Sequence, residues 1–163
     1  MSKTVFLTLA VAVLLSDFSQ NAIAEPLDLR QFQWKNRLLF LFAPNRDHPM
    51  FVSLHNSLSA QQAEVDDRDL VIFKILESDP SSINTQSLAS DSAFSLRKQY
   101  GVNPGEFAVL LVGKDGGIKL KRQDDIRLEE IFALIDAMPM RREEMRQKNL
   151  QNEDGAAVGK TTE

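Results

Sequence analysis

The sequence predicts an α/β fold, a central mixed four-stranded sheet with helices on both faces in the order β-α-β-α-β-β-α. Three observations carry that reading. Leu38 to Ala43, Leu70 to Leu76 and Phe107 to Val112 are short, nearly pure apolar runs, suited to strands covered on both faces. Segments between and after them place apolar residues at helical spacing. Lys114-Asp115-Gly116-Gly117 separates the third run from an alternating one, and Asp-Gly tolerates the positive φ angles of a tight hairpin.

In chain order, Leu38 to Ala43 is the first strand, closed by Pro44. Asp47 can cap the next helix, with Pro49 tolerated in its first turn and Phe51, Leu54 and Leu58 on one face. Asp66, Asp67 and Asp69 mark an exposed turn before the second strand, Leu70 to Leu76. Ser78 to Ser90, rich in Ser, Asp, Asn and Pro, reads as a loop. Ser90 or Asp91 can cap a short helix that buries Phe94 or Leu96 and ends at Tyr100, with Gly101 as its left-handed stop. Phe107 to Val112 and Ile118 to Arg122 are the third and fourth strands. Two right-handed βαβ crossovers between parallel strands are expected, with the hairpin adding an antiparallel strand at one edge. Leu128, Ile131, Phe132, Ile135 and Met138 form a buried helical face. Pro139 kinks or restarts that helix, and Arg141 to Lys148 continue it at shallower depth.

Residues 1 to 24 have the pattern of a secretory signal. Lys3 precedes the apolar run Val5 to Leu15, and Ala22-Ile23-Ala24 places small residues before a cut ahead of Glu25. A membrane-spanning helix needs ~20 apolar residues, more than this run offers. Three regions follow: the signal at 1–24, one folded domain at 25–148, and a disordered tail at 149–163 with charge and Gly but no apolar periodicity. The mature protein is expected to be periplasmic or secreted. Its 163 residues contain no cysteine, so thiolate nucleophiles, disulfides and thiolate metal ligands are excluded from them. A net charge of −4 with intermixed signs gives no nucleic-acid footprint, and no basic amphipathic stretch suits a membrane surface.

The element order is that of a thioredoxin-like three-layer sandwich. Tyr100-Gly101-Val102, the strand Phe107 to Val112 and Lys114-Asp115-Gly116 resemble the corresponding parts of thioredoxins. Gly113 to Lys119, Leu134 to Met145 and the lead-in Phe32 to Arg37 resemble more closely a bacterial family of thioredoxin-like domains of unknown function. That family is similar to the DUDES domains of animal sushi-repeat and extracellular-matrix proteins. The resemblance covers residues 27 to 148. Where thioredoxins carry Cys-x-x-Cys, this chain reads Asn45-Arg46-Asp47-His48-Pro49. Where they carry a proline before the third strand, it has Glu106 and Phe107, with Pro104 upstream. Both halves of a redox site are missing.

Loops beyond the carboxyl ends of parallel strands are where such sheets place ligands. Arg46, Asp47, His48, Glu106 and Phe107 are therefore the candidate ligand or partner surface, for a protein or peptide; their blander reading is a helix cap with solvated neighbours. The alternative function is a periplasmic metal handler or a non-thiol enzyme using the loop after the first strand. Against it, His48 and His55 are poorly spaced for one metal, and Met138, Met140 and Met145 fit packing better than copper ligation. Asp66, Asp67 and Asp69 lack the Gly and distal Glu of a calcium loop. Lys119, Lys121, Arg122, Arg141, Arg142 and Arg146 are interrupted by Glu143 and Glu144, which favours a mixed charged face. Gly155 to Thr161 is one residue short of a phosphate loop. No Gly-x-Ser-x-Gly elbow is present, and no cofactor or catalytic residue is assigned.

Overall fold

The computed structural model describes residues 27 to 158. The expected signal and its cut at Glu25 lie outside them. The order is β1 (Arg37–Ala43), α1 (Pro49–Ala60), α2 (Gln62–Asp67), β2 (Leu70–Leu76), β3 (Ser82–Ile83), β4 (Gln86–Ser87), α3 (Ser90–Tyr100), β5 (Ala108–Val112), β6 (Ile118–Arg122), α4 (Leu128–Asp136) and α5 (Pro139–Val158). A 3-10 turn, Leu29–Phe32, leads in.

Among the described residues one mixed sheet has six strands, in the order β4-β3-β2-β1-β5-β6. The four expected strands are its body. The additional pair, β3 and β4, is a two-residue hairpin inside the Ser/Asn-rich segment read as loop, too short to carry an apolar pattern. It pairs through Phe73 with Ile83 and through Ser82 with Ser87.

Strand direction corrects one expectation. β1 and β2 are parallel, but β5 runs antiparallel to β1, so the second crossover is not a parallel βαβ unit. The cause is where the chain enters β5. Gly105 donates its amide to Glu77 Oε1 at 2.8 Å, just past the end of β2, and Phe107 stacks on His48, just past the end of β1. β5 thus starts where β1 and β2 stop, and can only run back.

Side-chain alternation divides the core into two layers. Leu39, Leu41, Val109 and Leu111 face α1, α2 and α4, meeting Phe51, Leu54, Val65, Ile131 and Ile135. Leu38, Phe40, Phe42, Ala108 and Leu110 face α3, meeting Ala93 and Leu96. Helices thus cover both faces. Of the two apolar candidates on α3, Leu96 is buried and Phe94 is 70% exposed.

Several ends differ from expectation. His48, not Asp47, is the N-cap of α1, without a side-chain cap bond; Asp47 instead donates its amide to Asn45 Oδ1. Ala89 caps α3, so neither Ser90 nor Asp91 does. Gly101 ends α3 at φ 59°, as its position requires. Gly116, at φ 81°, closes the β5–β6 hairpin. Pro139 restarts the chain as α5, which continues to Val158 through part of the segment assigned to a tail.

The acidic stretch before β2 is the end of α2 and the turn after it, and Asp67 and Asp69 are both engaged. Asp67 receives Arg141 and Lys148, and Asp69 Oδ2 receives Lys114 Nζ at 2.7 Å. Arg37, only 1% exposed, reaches Glu144 with both terminal nitrogens at 3.1 Å. Arg68 joins Glu64 to Asp136 and lies 4.2 Å over the Phe132 ring. The pairs made by Arg141, Glu144 and Lys148 dock α5 on the rim of the sheet where β1 and β2 begin. No described helix is long and apolar enough to cross a membrane.

Candidate functional site

The opposite rim, where β1 and β2 end, holds the five residues singled out from the sequence. Pro44 turns the chain out of β1, and Pro49 fixes the start of α1, leaving Asn45 to His48 as a tight connection. Within it Arg46 clasps Asp79: its amide donates to Oδ2 and its Nε to Oδ1, both at 2.8 Å. The Arg46 amide and guanidinium hold the Asp79 carboxyl below the usual aspartate range. Asp47 points its side chain into none of these contacts.

The His48 ring lies parallel to Phe107, with centroids 5.3 Å apart and planes 4° from coplanar. Its Nδ1 is buried without a hydrogen-bond partner. Phe107 itself is 5% exposed and belongs to the core, so the aromatic expected on a partner surface is instead the floor under His48. Glu106 turns away toward its own loop. It accepts from the amide and side chain of Asn103, at 3.1 and 2.9 Å, and from Gln123 at 3.0 Å. Those Asn103 hydrogen bonds hold its carboxyl below the ordinary value. The structure therefore joins His48 to Phe107 and Arg46 to Asp79, and gives Glu106 separate partners. No described peptide bond is cis.

Arg97, which sequence reasoning missed, organises this rim. Its Nη2 donates to the carbonyls of Ala43 at 2.6 Å and Ile75 at 3.1 Å, stapling the ends of β1 and β2. Its Nη1 pairs with Glu77 Oε1 at 3.0 Å, and burial pushes its pKa down. The signal was present: Arg97 follows buried Ala93 by four residues, on the same helical face. Between α3 and the β2 exit lies a cleft of about 500 Å³, lined by Glu77, Pro80, Leu88, Ala93, Phe94 and Arg97. Exposed Phe94 stands on its rim.

Chemically this rim presents a stacked imidazole, a buried guanidinium and paired carboxylates. His48 keeps its ring stacked and its Nδ1 enclosed. Among the described residues, no group of three or more His, Cys, Asp or Glu is arranged to hold a metal ion. Met138 packs against the core, while Met140 is 41% exposed. The basic residues form a mixed face: Lys119 pairs with Asp115, Arg122 with Asp124 and Arg146 with Glu143.

Comparison with known proteins agrees with this architecture. A reduced 2-Cys peroxiredoxin from Plasmodium vivax superposes with a TM-score of 0.55, at 19% identity, over 72% of this chain and 85% of that one. Thioredoxin peroxidase I from Plasmodium yoelii gives the same score and identity, covering 80% of its own chain. At such identity the likeness shows the fold, a thioredoxin-like α/β sandwich, and no activity. In sequence, the chain is 25% identical over 133 residues to coiled-coil domain-containing protein 80 of Danio rerio. That match covers 72% of this chain and 15% of the zebrafish protein's length. Residues 28–144 match the family model described as Domain of unknown function (DUF4174), and with most of its length inside that match the chain belongs to this family.

Proposed function

We propose that this protein is an exported binding module that uses the rim at the ends of β1 and β2 to hold an extended peptide or protein segment, without thiol chemistry. One observation carries the reading. The corner that would bear a thiol is closed by the His48–Phe107 stack, while the adjoining 500 Å³ cleft stays open under exposed Phe94. An apolar shelf beside hydrogen-bonding groups held in place by Arg46, Glu77 and Arg97 suits a side-chain anchor flanked by backbone contacts. Export rests on the N-terminal pattern of Lys3, Val5 to Leu15 and Ala22-Ile23-Ala24. The kinship with thioredoxin-like domains of animal extracellular proteins is part of the same proposal and rests on the stretches Gly113 to Lys119 and Leu134 to Met145.

Selection from a random peptide library on the purified protein tests the binding role. Sequences with an aromatic or large aliphatic anchor should be enriched on the wild type and lost on Phe94→Ala. Equal enrichment on both proteins would contradict it. Mass spectrometry of protein recovered outside the cytoplasm should find Glu25 at the N-terminus; retention of residues 1–24 would refute the export argument.

A further inference from the structure

A second cleft, of about 300 Å³, lies at the opposite rim, where α5 begins against the β5–β6 hairpin. Its walls include Arg37, Lys114, Met138 and Met140, together with the Asp115 carboxylate, which Lys119 holds at 2.6 Å. Two of them are cations almost withdrawn from water. Arg37 is 1% exposed and uses three of its N–H groups, on the Arg68 carbonyl and the two Glu144 oxygens. Its Nε is buried without a partner. A guanidinium has five N–H donors, so Arg37 retains unspent capacity. Lys114, 9% exposed, spends its ammonium on Asp69 at 2.7 Å and Glu144 at 2.8 Å, leaving a third N–H. Pro139 opens the long helix α5 at the same cleft, adding the positive end of its dipole. The other walls are the Met138 and Met140 thioethers, the Pro139 ring and the Asp115–Lys119 ion pair.

The geometry points to a binding site for a small monocarboxylate with an apolar body, its carboxylate toward Arg37 and Lys114 and its hydrocarbon against Met138 and Met140. Geometry sets the ligand class. The charges of Arg37 and Lys114 are already offset by Glu144 and Asp69, so the cleft offers hydrogen-bond donors rather than net positive charge, and one planar carboxylate matches the unspent guanidinium N–H groups better than a tetrahedral dianion does. Two sources supply this chemistry: a free short-chain acid, or the C-terminal carboxylate of a peptide ending in an apolar residue.

Amide-resolved NMR titration of the full protein distinguishes them. The probes are hexanoate, hexanamide, and an N-acetylated Gly-Gly-Leu tripeptide with a free or an amidated C-terminus. Shifts at Gly113 to Lys119 and at Met140 to Arg142 are expected with one or both acids and not with the amides. A response to the tripeptide acid alone assigns a peptide end; a response to hexanoate alone assigns a free acid. Lys119→Glu, a change at a partly exposed side chain, should weaken the responding acid roughly two- to fivefold. Equal shifts with the uncharged amides, no shift with either acid, or unchanged affinity in Lys119→Glu would each overturn the assignment.

Discussion

Replacing Glu144 with Gln should cost about 2–3 kcal/mol, and the structure says why. Glu144 is the acceptor shared by two buried cations, Arg37 through two contacts at 3.1 Å and Lys114 at 2.8 Å. Breaking a fully buried pair by removing one charge costs about 3–5 kcal/mol, because the other charge stays desolvated. Glu144 keeps 26% of its side-chain surface, and Gln retains one acceptor oxygen, so the lower figure applies. Arg37 would then keep only neutral acceptors, while Lys114 would keep Asp69. For a domain of this size that loss lowers Tm by roughly 10 °C. Linkage supplies a second reading of the same contact. Burial opposes ionisation of Glu144, but the hydrogen bonds and charges of Arg37 and Lys114 outweigh it and hold the folded carboxyl below its ordinary value of 4.5. Its contribution is therefore complete above that value and fades as pH falls through the lowered one. Asp67, also lowered, chiefly by Lys148 and then Arg141, adds to the same acid loss. Urea denaturation across an acid pH series should show the wild type losing its advantage over Glu144→Gln as the pH drops. A difference within ~0.5 kcal/mol at neutral pH, or one that does not shrink in acid, would refute the argument.

Other substitutions test the core and the turns. Phe132→Ala removes a ring 7% exposed and packed under Arg68, and should cost about 3–5 kcal/mol by chemical denaturation; a loss within ~0.5 kcal/mol would mean α4 does not bury that face. Gly101→Ala should cost about 1–2 kcal/mol from backbone strain alone, since a Cβ there meets only Lys121 Nζ at 3.8 Å and φ is 59°; no change in Tm would place the α3 stop elsewhere.

Legibility followed the physics of each signal. β2 and β6 were readable to the residue because an apolar run or a clean alternation bounded by turn residues leaves little freedom in register. The buried faces of α1 and α4 followed from helical spacing. The direction of β5 was not readable, because an apolar strand reads the same in either direction; loop contacts from Gly105 to Glu77 decide it. The β3–β4 pair was invisible because two residues carry no period. The polar network was hidden for a different reason. Arg37 and Glu144 are 107 positions apart, and each alone looks like a solvated charge. At the candidate rim, chain order placed Arg46 and His48 just past the end of β1, where His48 meets Phe107 and Arg46 meets Asp79. The sequence could not show that Phe107 is consumed as floor, or that Asp79 satisfies Arg46.

Under the proposed function, the rim at the ends of β1 and β2 recognises an extended segment. Amide NMR shift mapping with the highest-ranked library peptide tests it most directly. Shifts confined to Arg46 to His48, Glu77 to Ser81 and Leu88 to Arg97 are the predicted result. Shifts that avoid these stretches, or that persist unchanged in Phe94→Ala, would contradict it.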